Sequence, residues 1–165
     1  MITAKTIKKE LLQKEIDPLR GQGCKMGSGF VLDEEVPLLA RHAGKTLEAF
    51  EKEFLQPGEV FHTKTKLLKT RKTGKPYGPC VFLQKDDACG FGKNKPLYCA
   101  ITNNDEREAA VQWFQLSHYV NLNDPTSIRE WHAYAQGIKV IPGGKPEELV
   151  GKERLKEILE YKELK

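Results

Sequence analysis

Cys24, Cys80, Cys89 and Cys99 are the side chains best equipped for chemistry in this chain. The last three are spaced nine and ten residues apart. They lie among Pro76, Gly78, Pro79, Gly90, Gly92 and Pro96, while Cys24 sits between Gly21, Gly23, Gly27 and Gly29. Loops of that composition let backbone and thiolates wrap around an ion, whereas a core cysteine more often belongs to a regular element. Four thiolates satisfy a tetrahedral zinc or the four irons of a [4Fe–4S] cluster. The spacing is not the compact Cys-x-x-Cys of many zinc modules, and reduced core thiols or a redox pair remain open readings. Disulfides are disfavoured, because nothing in the chain signals an oxidising compartment and a domain this long needs no staples. His42, His62, His118 and His132 are scattered away from the cysteines and read as surface or structural side chains. All-cysteine ligation with long spacings favours [4Fe–4S] over zinc.

A second constellation is basic. Lys64, Lys66, Lys69, Arg71, Lys72 and Lys75 could grip phosphates or an acidic partner. More commonly such a run is one solvated face of a hairpin. Tyr77 and Tyr98 could stack on bases, but covering the cysteines is the better use of them. Gly27-x-Gly29 lacks the rest of a dinucleotide fingerprint, and Gly90-Phe-Gly-Lys93 lacks the spacing and final Ser/Thr of a phosphate loop. No spacing points to a Ser–His–Asp set or to paired carboxylates, so no catalytic residue is assigned and enzymatic activity stays open.

The elements that must position these residues follow from local signals. Ile7, Leu11, Leu12 and Ile16 share one face of a helix over 2–16 that Asp17-Pro18 ends. Asp33 is an N-cap followed by Glu34, Glu35 and Pro37, with Val36, Leu38, Leu39 and Ala40 behind and Gly44 as the stop. Thr46 caps a helix carrying Leu47, Phe50, Phe54 and Leu55, which Pro57-Gly58 ends. Residues 66–71 and 80–84 read as strands around a Thr73-Gly74 turn. A helix from about Asp105 to Tyr119 buries Ala110, Trp113, Phe114 and Tyr119. Asp124-Pro125 opens another, with Ile128, Trp131 and Ala135, that stops at Gly137. Ile138–Ile141 reads as extended, and a last helix runs from Pro146 to Leu164.

The chain's 165 residues fit one domain, 1–165, with a cysteine-cluster region at 17–102 and a helical part at 103–165. The expected class is α+β, with mostly helical ends around an irregular, cysteine-bearing middle and a short β-hairpin. Apolar residues make up 39% and charged residues 30%, which excludes a disordered composition, and the net charge of +4 permits an acidic partner without demanding one. No apolar run approaches the roughly 20 residues that span a bilayer, and the charged N-terminus lacks a signal-peptide core. The expectation is a cytoplasmic protein with no membrane partner.

The order of motifs resembles the YkgJ-type cysteine-cluster family, described as zinc- or iron-chelating or as Fe–S-cluster-containing. The likeness runs through Gly21-Gln-Gly-Cys24, Gly27-Ser-Gly-Phe-Val-Leu, Glu34-Glu-Val, Gly74-Lys-Pro-Tyr-Gly-Pro-Cys80, Cys80-Val-Phe-Leu, Cys89 and Lys95-Pro-Leu-Tyr-Cys99. It covers about residues 17–102, and more loosely the helical tail. The family opens with Cys-x-x-Cys-x-x-Cys-Cys. Aligned on Cys24, this chain has Asp17, Arg20 and Gly23 at the other three positions. The resemblance therefore implies one four-thiolate site at Cys24, Cys80, Cys89 and Cys99, or a degenerate member whose metal is lost. The function expected is a metal-binding protein holding one [4Fe–4S] cluster, or zinc, in a structural or electron-transfer role. One alternative is a non-catalytic interaction or nucleic-acid module with a structural zinc. Another is a metal-dependent transferase or redox component, since some family members are linked to protein lysine methylation. A protein partner fits better than nucleic acid.

Overall fold

The computed structural model describes residues 1–12, 27–75, 77–86, 88–102 and 105–163. With 46% helix, 12% strand and one small antiparallel sheet, the class is α+β. The chain forms two compact units: a helical unit of Met1–Leu11, Glu59–Lys64 and Glu106–Lys165, and a cysteine unit of Leu12–Gly58 and Thr65–Asp105. No helix among the described residues is long and apolar enough to cross a membrane.

In the helical unit, α1 (Lys8–Leu12) is followed much later by α5 (Arg107–His118), α6 (Pro125–Ala135), α7 (Pro146–Val150) and α8 (Lys152–Leu159). The start of α6 obeys its local signals: Pro125 stands at its first position and Asp124 Oδ1 accepts from Thr126 N at 2.9 Å. Ile128, Trp131 and Ile158 are fully buried and form the core with Val120 and Leu155. The indole of Trp131 donates to Gly144 O at 2.8 Å, so its one polar atom is satisfied inside that core. The helix expected over 146–164 is broken in two, because Gly151 takes φ +84°, outside the helical region. The segment Ile138–Ile141 finds no strand partner among the described residues. Instead the buried Gln112 side chain serves its backbone, donating to Lys139 O at 2.9 Å and accepting from Ile141 N at 2.9 Å. The N-terminal helix begins only at Lys8 and leaves Ile7 58% exposed. Thr6 Oγ1 accepts from Thr3 N at 2.9 Å, a local bond that competes with helix. The rest of the helix expected over 2–16, with Ile16 and Asp17-Pro18, lies outside the described residues.

In the cysteine unit, β1 (Phe30–Val31) leads through a 3-10 turn at Asp33–Glu35 into α2 (Val36–His42) and α3 (Leu47–Phe54). Asp33 is not the cap expected, since it lies inside the 3-10 turn and pairs with Lys66. Thr46 caps α3, accepting from Ala49 N at 3.2 Å, and Phe50 is fully buried. Pro57-Gly58 does not end that helix. It lies within β2 (Leu55–Val60), which pairs with β3 (Thr63–Leu68) in the order β1-β3-β2. An edge strand tolerates a proline because one row of its amides needs no partner. β1 pairs antiparallel with β3, Phe30 opposite Leu67 and Val31 opposite Lys66. A short α4 (Leu97–Ile101) closes the unit.

The hairpin is thus not where turn residues placed it. Around Thr73-Gly74 the described residues form one bridge, Thr70 to Cys80, while the hairpin turns at Phe61-His62. Both turn residues are left-handed, with φ of 50° and 59°. Two-residue hairpin turns want that handedness but supply it with Asn and Gly. In Phe and His it costs of order 1–3 kcal/mol each and persists only where surroundings impose it. Phe61 supplies part of that constraint by setting its ring edge-on to Trp131 at 5.2 Å and against Tyr134 at 5.4 Å.

Candidate metal centre

Cys99 lies on α4, not in a loop as its neighbours suggested. What fixes α4 is the chain just downstream of the glycine stretch that holds Cys24. Glu35 reaches both ways: its Oε2 accepts from Leu32 N at 2.9 Å and its Oε1 from Leu97 N, the first residue of α4, at 2.7 Å. Phe30 packs edge-on to Tyr98, with ring centroids 5.0 Å apart. The Ser28 hydroxyl donates to Leu68 O, and Gly29 O accepts from Leu68 N at 3.1 Å. Gly29 itself lies against the cysteine: a Cβ at that position would stand 2.2 Å from Cys99 Sγ. Glu35 was readable only as a helix-terminus carboxylate. Its bond to a residue 62 positions away has no local signal.

Cys80 and Cys89 both pack on the core of the same unit, formed by Val31, Leu39, Phe50, Leu68 and Phe91. Cys80 is 3% exposed and bridges Thr70, so it is a core side chain on an extended segment. Cys89 bridges Leu83 and is partly buried. The turn between them folds back on itself through Gln84 N to Ala88 O at 2.8 Å and Gly90 N to Phe82 O at 2.7 Å. His42 braces this turn. Its Nε2 is 3.1 Å from Gly90 O, which can only accept, so Nε2 donates. The ring also packs, tilted, against Phe91 with centroids 5.6 Å apart, in keeping with a structural role for this histidine.

No disulfide links Cys80, Cys89 and Cys99. Among the described residues, no three His, Cys, Asp or Glu side chains are gathered so as to hold a metal ion. Cys24 lies outside the described residues. The three described thiols do not by themselves form a metal-binding group.

The basic run is divided in its duties. Lys66 bridges Asp33 at 3.1 Å and Glu51 at 3.3 Å, and these carboxylates, Asp33 foremost, push its pKa up. Lys69 donates to Lys52 O at 2.9 Å, and Arg71 donates to Leu83 O at 2.7 Å. Lys75 sits over the Tyr77 ring at 5.7 Å, while Lys64 and Lys72 are exposed. Half of the six cations thus serve the fold, leaving Lys64 on the helical unit and Lys72 and Lys75 on the cysteine unit exposed. On duplex DNA three contacts limit the slope of log K against log salt to about −3. A filter-binding or anisotropy series is expected to give weak binding within that limit. A much steeper slope would mean that the internal contacts of Lys66, Lys69 and Arg71 give way on binding.

Compared with models of protein families, with curated proteins and with solved structures, the chain has no match.

Proposed function

We propose that the cysteine unit holds one metal centre, a [4Fe–4S] cluster with zinc as the alternative, through Cys24, Cys80, Cys89 and Cys99, and that the centre is structural. The observation that carries this reading is the contact of Gly29 with Cys99. Cys24 is five residues from Gly29, so covalent geometry alone keeps their Cα atoms within about 18 Å. Cys24 is therefore within chain reach of Cys99, and Cys80 and Cys89 pack on the core of the cysteine unit. Between Lys69 and Pro96 the described elements are two isolated bridges and a 3-10 turn, which is little regular structure to hold twenty-odd residues. When bound, the centre cross-links these segments and, as an iron–sulfur cluster, adds a one-electron redox site. Its ligation would gather the four thiols into one site, so binding energy becomes folding energy for this segment.

Protein purified without oxygen is expected to be brown, with about four iron and four sulfide per chain. A colourless protein with about one zinc selects the alternative. Cys89→Ser is expected to lose the metal and to speed amide exchange across 77–101 while α5, α6 and α8 stay protected. Protein that carries neither metal after anaerobic reconstitution refutes the centre. Unchanged exchange in a metal-free Cys89→Ser variant refutes its structural role.

A further inference from the structure

The left-handed turn at Phe61-His62 is held by three contacts, and one of them titrates. Phe61 rests on the rings of Trp131 and Tyr134, contacts that do not depend on the charge of His62. Thr63 Oγ1 donates to Tyr119 O at 2.7 Å, which is equally indifferent to pH. The third contact is His62 Nδ1 to Asp124 Oδ2 at 2.6 Å. Asp124 uses its other oxygen to cap α6, so one carboxylate joins the hairpin turn to the start of a helix. His62 is half exposed, and protons reach it without any opening of the fold.

We propose that His62 and Asp124 form a proton-controlled latch: the imidazolium holds the Phe61-His62 turn against the start of α6, and loss of its proton loosens the turn about the Phe61 anchor. The charged groups that act on His62 are all acidic: Asp124 at the start of α6, Glu59 on β2 and Glu130 on α6. The hydrogen bond to Asp124 is the largest influence, followed by that group's charge. Together with the two glutamates they outweigh slight burial and lift His62 above its ordinary 6.5. For Asp124, burial pushes the carboxyl up, but bonds from His62 and the backbone of Thr126 outweigh it, and the net shift is below 3.8. A raised histidine contributes stability that is complete below its unfolded value and lost as pH rises through the folded one. A lowered carboxyl contributes stability that is lost as pH falls through its folded value. The latch is therefore closed between Asp124's lowered pKa and His62's raised one, and opens on the alkaline side as pH rises through the latter. Neutral His62 can still donate from Nδ1, so the charge assistance is lost and the turn relaxes without unfolding.

The test follows His62 by NMR while amide exchange, corrected for its intrinsic pH dependence, is read at residues 60–63 from about pH 5.5 to about pH 8.5. Exchange in the turn is expected to rise several-fold with a midpoint that coincides with the His62 titration and lies above 6.5. Two variants isolate the pair. His62→Asn tolerates the left-handed conformation and cannot titrate, so the step should vanish. Asp124→Asn keeps a capping oxygen and removes the charge, so His62 should titrate lower and the step should shrink. An unshifted His62 in the wild type, a turn whose exchange shows no step at its titration, or a step that survives in His62→Asn would each overturn the latch. The wild-type titration decides the matter even where a variant does not fold.

Discussion

Gly29→Ala is expected to destabilise the cysteine unit by about 2–3 kcal/mol, the upper part of the range for forcing an extra methyl into packed structure. A Cβ at Gly29 would lie 2.2 Å from Cys99 Sγ and 3.3 Å from Tyr98 Cδ1. Neither neighbour has an easy retreat. α4 is tied at its first amide to Glu35, and Gly29 is tied through its own carbonyl to Leu68 on β3. The clash has one principal partner, which gives the test its control. Cys99→Ala removes the sulfur and leaves a Cβ about 3.8 Å away, an ordinary contact. In urea unfolding of metal-free protein, Gly29→Ala should cost little in a Cys99→Ala background, the difference from its cost in the wild type being the coupling energy. Full additivity would show that the loss arises elsewhere in the backbone. Under the proposed metal centre, Gly29→Ala alone should also lower metal content, because it displaces one ligand.

Trp131→Ala should cost still more, about 3–5 kcal/mol from the loss of a fully buried indole. The ring is at 0% exposure in the core of the helical unit, against Phe61 and Tyr134. Truncation also strips Gly144 O of its donor, which adds about 1–3 kcal/mol if no water replaces it. A domain's whole stability is about 5–15 kcal/mol, so this one change removes a large share of it. Trp131→Phe keeps most of the packing and should cost distinctly less. Amide exchange should show the damage across 106–163 and at the Phe61-His62 turn, which loses the ring that anchors it. Protection of that turn unchanged in Trp131→Ala would contradict the view that aromatic contact imposes its conformation.

Helix starts and stops were legible where a residue acts on its own backbone. Thr46 and Asp124 cap the helices they were expected to cap, and Gly44 ends α2 with φ +67°. The buried faces of α5 and α6, including Ala110, Phe114, Ile128 and Trp131, follow from helical spacing. Such signals act over one turn and need no distant partner. The chemical type of the candidate centre is likewise written in the residues, since only cysteine supplies thiolates. What local signals leave open is decided by contacts from far along the chain. Pro57-Gly58 would end a helix or lie in a strand equally well, and edge position in the sheet makes it strand. Phe61-His62 carries no turn signal at all. Trp131, Tyr134 and Asp124 impose on it a conformation that neither residue would choose alone. The surroundings of the described cysteines are of this second kind: Cys80 in an apolar core and Cys99 on a helix under Gly29 are products of packing between segments tens of residues apart. Backbone preference reaches one turn of chain, whereas burial and side-chain contact have no fixed sequence distance, so the cysteines stand in the sequence and the setting of the described ones only in the fold.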